Sequence, residues 1–203
     1  MNLNKLSPQE IAKKLAAQPK REPNNPFPTN LLIDPKQPAA VLIPLIWNHE
    51  AWHILFIRRT DVPGDRHGGQ VAFPGGVCDT VDGSVEEAAL RETHEELGIV
   101  PDDIQILGKL NEFITVTNFW VTPVVGLIPW PYPLEPSPEE ISKVFTIPVS
   151  WLNDPSNRED ITQKLANNTE VVVTYFKEFE GEKLWGASAR ITVELLEVIK
   201  SKG

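Results

Sequence analysis

A chain of 203 residues with 41% apolar content can bury a full core without metals or disulfides as staples. Its formal charge of −9 argues against nonspecific binding to nucleic acid or to an acidic membrane, since either needs a net basic surface. Cys78 is the single cysteine, so no intrachain disulfide can form and a reducing compartment is expected. The start lacks an apolar signal core, and the longest apolar or proline-containing run, Pro38 to Trp47, is too short to span a bilayer. A cytoplasmic protein is the expectation.

In chain order, Ser7-Pro8-Gln9-Glu10 is a capping box with proline at the first helical position, predicting a helix to about Ala17. Four prolines between Pro19 and Thr29 then read as an extended linker. Residues 1–30 are thus expected to form a helix and linker ahead of one domain over 31–203. That helix is free to pack on its own domain or on a partner subunit, which leaves a homodimer open. Ala40 to Trp47 and Trp52 to Arg58 read as two strands joined at Asn48-His49-Glu50. Ser84, with Glu87 three residues on, opens a helix from about Val85 to Leu97, and Gly98 is placed to end it in a left-handed turn. Ile104 to Thr117, Phe119 to Ile128 and Val171 to Phe179 are apolar and β-branched in the manner of strands. Ser188 to Ile199, with Ile191, Leu195, Leu196 and Ile199 on one side, reads as a closing amphipathic helix. Strands interleaved with an inner and a closing helix predict an α/β fold, a mixed sheet covered on both sides.

The chemistry concentrates between Phe73 and Ile99. Glu92, Glu95 and Glu96 stand at i, i+3 and i+4, so they repel one another on one helix surface near the C-terminus, where the macrodipole disfavours anions. A divalent cation compensates such a cluster, and oxygen-only ligands favour hard ions, Mg2+ or Mn2+, over zinc. A plain solvated face is the competing reading of a glutamate-rich helix. Against it stand Phe73-Pro74-Gly75-Gly76 ahead of the helix, whose glycines let backbone approach a ligand, and Arg91, which can pair with Glu87 or Glu95. His94-Glu95 begins like a zinc-protease HExxH helix, but Gly98 occupies the second histidine position. Arg91, three residues before His94, likewise breaks the Glu-x-x-His spacing of a di-iron site. Nothing near Cys78 suggests a catalytic thiol.

Gly76 to Ile99 resembles the Nudix box, G-x5-E-x7-R-E-U-x-E-E-x-G-U with U apolar, and ends in Arg91-Glu92-Thr93-His94-Glu95-Glu96-Leu97-Gly98-Ile99. Thr93 departs from the apolar position. Gly76 and Arg91 are one residue further apart than the general box allows, and Gly83 falls where its first glutamate should be. The longer spacing, with a G-G-x-x-D-x-x-D opening at Gly75 to Asp82, is similar to the coenzyme A pyrophosphatase branch. So are His67 to Pro74 upstream, and Thr117-Asn118-Phe119, Pro138-Glu139-Glu140-Ile141 and Leu184 to Ala189 downstream. Two places differ: Phe56-Ile57-Arg58-Arg59-Thr60 replaces the branch's Leu-Leu-Thr-x-Arg-Ser, and Asp65 holds its second arginine position with Arg66 beside it.

The resemblance implies an α/β/α sandwich and a metal-dependent pyrophosphohydrolase of coenzyme A or its thioesters. Other nucleoside diphosphate derivatives remain alternatives, as does a Nudix fold retained for ligand binding alone. On this reading Glu92 and Glu96 hold metal, with Glu95 sharing that role and Gly76 or Gly75 supplying backbone, while Arg91 orients the carboxylates. Arg58, Arg59, Arg66 and Gly75 are the candidates for meeting the anionic substrate, and solvated strand-end charges are the other reading of the three arginines. Glu139 and Glu140 are loop candidates for the general base, with helix N-terminal carboxylates as their structural alternative. Trp130 and Tyr132 are candidates to stack on adenine, although tryptophans mostly supply core. Asp79 and Asp82 either order the glycine loop or cap the helix.

Overall fold

The computed structural model describes residues 3–21, 37–64, 67–115, 117–164, 168 and 170–201. Helix α1 (Pro8–Ala17) starts on the expected reciprocal cap: the Glu10 amide donates to Ser7 Oγ at 3.2 Å and the Ser7 amide to Glu10 Oε2 at 2.8 Å. Its Ile11 and Leu15 are buried in the main core, so the helix packs on its own chain. Most of the proline stretch lies outside the described residues.

Strands β1 (Gln37–Asn48) and β2 (Ala51–Arg59) form a hairpin whose two turn residues, His49 and Glu50, have φ of 46° and 61°. Positive φ at both positions matches the right-handed twist of paired strands. The hairpin pairs only at its closed end, from Leu45↔Ile54 to Asn48↔Ala51. Beyond that the strands part, and the wedge between them is filled by β3 (Val71–Ala72) on β2 and β4 (Gly75–Val77) on β1. The two glycines are therefore in the sheet, and Phe73-Pro74 is the bend that joins β3 to β4. Phe73 is buried with its ring 4.9 Å from that of Phe56, and Pro74 accepts from the Leu42 amide at 2.8 Å.

Helix α2 (Val85–Leu97) follows, with Ser84 Oγ accepting from the Glu87 amide at 3.1 Å and Gly98 in the left-handed region at φ 71°. Glu87 differs from a reciprocal cap by reaching past Ser84 to the Gly83 amide at 2.9 Å. The expected long strand after Ile104 is two pieces, β5 (Gln105–Lys109) and β6 (Phe113–Ile114), both paired with β7 (Phe119–Leu127). β7 runs parallel to β1 from Gln37↔Phe119 to Leu45↔Leu127, which makes the sheet mixed. β8 (Ile141–Pro148) pairs along the other side of β2, with an irregularity at Arg58/Arg59, and the short helix α3 (Val149–Leu152) turns the chain away. β9 (Arg158–Lys164) and β10 (Glu170–Phe176) form a separate ribbon before helix α4 (Gly186–Lys200). Sequence patterning missed β9 because polar residues dominate it from Arg158 to Lys164, and β8 because Ser142-Lys143 interrupts its apolar residues near the start.

Alternation along β2 divides the core in two. Trp52, Ile54 and Phe56 join α1 and α4 on one face, while Leu55 and Ile57 join α2 on the other. The result is an α/β/α sandwich.

Candidate functional site

The same alternation, continued through the end of β2, separates the paired arginines. Arg58 points to the α4 side and meets the buried Glu182 at 3.4 Å, which also holds Lys143 at 2.9 Å. Arg59 points to the α2 side, with Nη1 3.9 Å from Glu96 Oε1. Only Arg59 is thus brought to the carboxylates, and Arg66 lies outside the described residues.

Glu96 is 2% exposed. Its Oε2 accepts from the Gly75 amide at 3.0 Å, a bond made available because Gly75 sits at the edge of the strand wedge with φ 149°. Burial pushes the Glu96 carboxyl up to about 8, against the Gly75 hydrogen bond and the Arg59 charge, with the charges of Glu140 and Glu92 adding to the rise. Glu92 lies against Gly76 so closely that a Cβ there would stand 2.6 Å from its carboxylate. Only glycine fits. Glycines at 75 and 76 therefore do two separate jobs: one presents an amide to Glu96, the other leaves room for Glu92.

Arg91 organises the polar rim. Its Nε and Nη2 each bind an Asp82 carboxylate oxygen at 3.0 Å, Nη1 binds Glu92 at 2.8 Å and Glu95 at 3.2 Å, and Nη2 also reaches the Val77 carbonyl at 3.1 Å. These bonds, to Asp82 first and Glu92 second, push the guanidinium further toward its charged form, and the Arg91 bond holds the Asp82 carboxyl below the usual range. The Asp82 side chain is 5% exposed and also accepts from the Asp79 amide at 2.7 Å. Of the two partners expected for Arg91, Glu95 is the one it meets, while Glu87 is engaged at Gly83. Asp82 orders the loop through the Asp79 amide rather than capping the helix, and beyond that expectation it chelates Arg91. Asp82 makes these bonds from the position just ahead of Gly83, which itself offers no side chain. Sequence reasoning singled out Asp82 without its role because a contact over nine residues crosses a turn and the first helical turns.

A polar strap seals the end of α2. The Glu135 amide donates to the Leu97 carbonyl and the Ser137 amide to that of Glu96, both at 2.9 Å, satisfying carbonyls that a helix end leaves open. Gly98 again allows the approach, since a Cβ there would lie 2.9 Å from that of Glu135. From the strap, Glu140 follows a turn closed by its amide on Ser137 and leads straight into β8. The helix-cap alternative for Glu139 and Glu140 is therefore excluded. Tyr132 is committed structurally, donating to Asp103 at 2.7 Å and accepting from the Val100 amide at 3.1 Å. His94 hydrogen bonds through Nδ1 to the Ile99 carbonyl, a helix-end contact.

Among the described residues no three histidine, cysteine, aspartate or glutamate side chains converge as a metal-holding group. The residues that could hold a cation are two carboxylates, Glu92 and Glu96, across the Gly75–Gly76 backbone, with Glu95 turned to Arg91. They fit a hard cation: all donors are oxygen, and the buried Glu96 carboxylate is costly to leave ionised without one.

Residues 36–165 match the family model described as the NUDIX domain. The chain is 38% identical over 161 residues to a protein of Enterobacter sp. (strain 638) described as an uncharacterized Nudix hydrolase, NudL, spanning 79% of this chain and 81% of that protein. A NudL of Photorhabdus laumondii is 34% identical over 175 residues, 86% of this chain and 91% of the relative. Among solved structures, the M. smegmatis Nudix hydrolase RenU aligns with a TM-score of 0.49 at 22% identity, over 59% of this chain and 74% of that one. No helix among the described residues is long and apolar enough to cross a membrane.

Proposed function

This chain belongs to the Nudix hydrolase family, and from that premise we propose that it hydrolyses the diphosphate of coenzyme A and its thioesters with Mg2+ or Mn2+. The observation that carries the reading is the Asp82–Arg91 chelate, which gives a physical purpose to the G-G-x-x-D-x-x-D opening shared with the coenzyme A branch. Water adds to one phosphorus, the bridging P–O bond breaks, and an adenosine bisphosphate and a phosphopantetheine leave.

Glu92 and Glu96 are the proposed metal ligands, with the Gly75–Gly76 backbone beside them and Glu95 exchanging between Arg91 and the ion. When bound, divalent ions neutralise the diphosphate and lower the pKa of attacking water. Arg91 keeps Glu92 and Glu95 in place and stays charged throughout. Arg59 adds a cation on the same face, suited to the substrate's oxygens, whereas Arg58 acts from the opposite face through Glu182. Glu140, in the turn that the Ser137 amide ties to the end of α2, is the proposed acceptor of the proton from water. Helix α1, packed on the core through Ile11 and Leu15, acts with the catalytic domain as one unit, in a reducing cytoplasm consistent with a lone cysteine.

A second reading, hydrolysis of NADH, ADP-ribose or dinucleoside polyphosphates, is favoured by the altered segment around Arg58 and Arg66. Incubation with Mg2+ and then Mn2+ against coenzyme A, acetyl-coenzyme A and these compounds, with products resolved by mass, tests both. Phosphopantetheine at much the highest kcat/KM is expected. Preference for another compound would discard the coenzyme A reading, and silence with both metals would favour a ligand-binding module.

A further inference from the structure

Trp120 is 39% exposed on β7, an unusual setting for the largest apolar side chain. It is not loose. Its Nε1 donates to Glu112 Oε2 at 2.7 Å, and Glu112 Oε1 accepts from Thr122 Oγ1 at 3.3 Å. Strand alternation sets its direction: Val121 and Val125 join the α1/α4 core and Val124 the α2 core, so Trp120 and Thr122 lie on the α2 side. Register sets its distance. Gly76 pairs with Ala40, and Ala40 with Thr122, which puts Thr122 two strand spacings, about 10 Å, from the glycine that cradles Glu92. In the adjoining row, Trp120 pairs with Pro38, whose carbonyl accepts from the Cys78 amide at 3.0 Å.

We infer that Trp120 and Glu112 form the nucleobase subsite of this enzyme. The indole offers a flat face held still by its hydrogen bond, so stacking does not first have to immobilise it. The Glu112 carboxylate accepts only, and its oxygens retain lone pairs beyond those used by Trp120 and Thr122. An acceptor beside the ring favours bases that present an exocyclic amino group, adenine among them, over uracil with its carbonyls. The reach from a diphosphate at Gly76 across a ribose to its base matches the separation. Tyr132 is held by Asp103 and Val100, and among the other exposed tryptophans Trp185 stacks on Tyr175 while Trp47 packs edge-on against Trp52.

The inference rests on the hydrolase reading for its orientation, yet it can be tested without turnover. Indole N–H signals of the six tryptophans are recorded by NMR, with Trp120→Phe identifying the Trp120 signal, and the protein is titrated with AMP, UMP and ribose 5-phosphate. AMP should move the Trp120 signal strongly, UMP weakly and ribose 5-phosphate hardly at all. Glu112→Gln, which adds a donor, should narrow the gap between AMP and UMP. In turnover, Trp120→Ala should raise KM about tenfold with kcat little changed. An equal response to ribose 5-phosphate, no response at all, or a shift confined to Trp130 would overturn the subsite. Those results alongside intact hydrolysis would leave the hydrolase reading standing, whereas AMP at Trp120 without any hydrolysis would support the subsite and sink the hydrolase.

Discussion

Helices α2 and α4 cover opposite faces of one sheet, and they are built on opposite terms. α4 buries Ala189, Ile191, Leu195, Leu196 and Ile199, an apolar stripe that needs nothing from elsewhere to be favourable. α2 buries Ala88, Ala89 and Leu97, but also Glu96, and sets Glu92 and Glu95 beside it. Its stability is borrowed from outside the helix: the Gly75 amide, the Asp82 carboxylate that holds Arg91, and the strap from Glu135 to Ser137. Local inconsistency of that kind is where a fold concedes stability to chemistry.

The sharpest way to break the contrast is one substitution in each helix. Glu96→Gln should lower kcat by roughly 10²–10³-fold while the melting temperature holds or rises, because an amide has no charge to desolvate; unchanged turnover would remove Glu96 from the site. Leu195→Ala should do the reverse, costing about 2–5 kcal/mol of stability while the folded fraction keeps its kcat, as urea denaturation with parallel assays would reveal. Between these extremes, Asp82→Asn should loosen Arg91 and reduce activity or metal affinity roughly 10–100-fold, with little change in the melt. A loss of folding instead would make Asp82 a scaffold residue.

The smallest effect concerns the α4 face. Glu194 is raised above the usual carboxylate range, chiefly by burial and against its bonds to Asn111 and the charge of Arg190. The folded chain then holds a proton that the unfolded chain has released, so this group's contribution to stability declines as pH rises through that interval. Glu194→Gln should flatten the decline, gaining on the wild type at about pH 7 relative to about pH 4 in urea midpoints. Parallel curves for the two proteins would contradict the assignment.

Where residues close in sequence decide the structure, the chain was legible. Caps at Ser7 and Ser84, the Gly98 turn, the bounds of α2 and the hairpin at His49-Glu50 all follow from local chemistry. The mixed sheet between helices followed from element order. What was hidden depends on pairing across the sheet. Val71 to Val77 read as a loop because its two short strands exist only where β1 and β2 part. Arg58 and Arg59 read as one basic pair because adjacency conceals that a strand sends neighbours to opposite faces. Asp82 was visible as a residue and invisible as a ligand of Arg91, since nothing in spacing says that the turn folds back over the helix. Trp120 was hidden in an apolar run that gave no sign which of its side chains stays uncovered.

The wedge between β1 and β2 has one more consequence, and it concerns time. Gly75, Gly76 and Val77 are ladder partners of Val41, Ala40 and Ala39, in the middle of the sheet. The Gly75 amide is held by Glu96 Oε2, so its protection should report that helix contact, while the Gly76–Ala40 rung should approach the protection of the innermost strands. A segment so placed cannot swing aside to admit or release a ligand, and entry is left to the surrounding loops. Heat inactivation, too, has no separate local route at this spot: the half-life of the site at elevated temperature is set by the unfolding rate of the sheet.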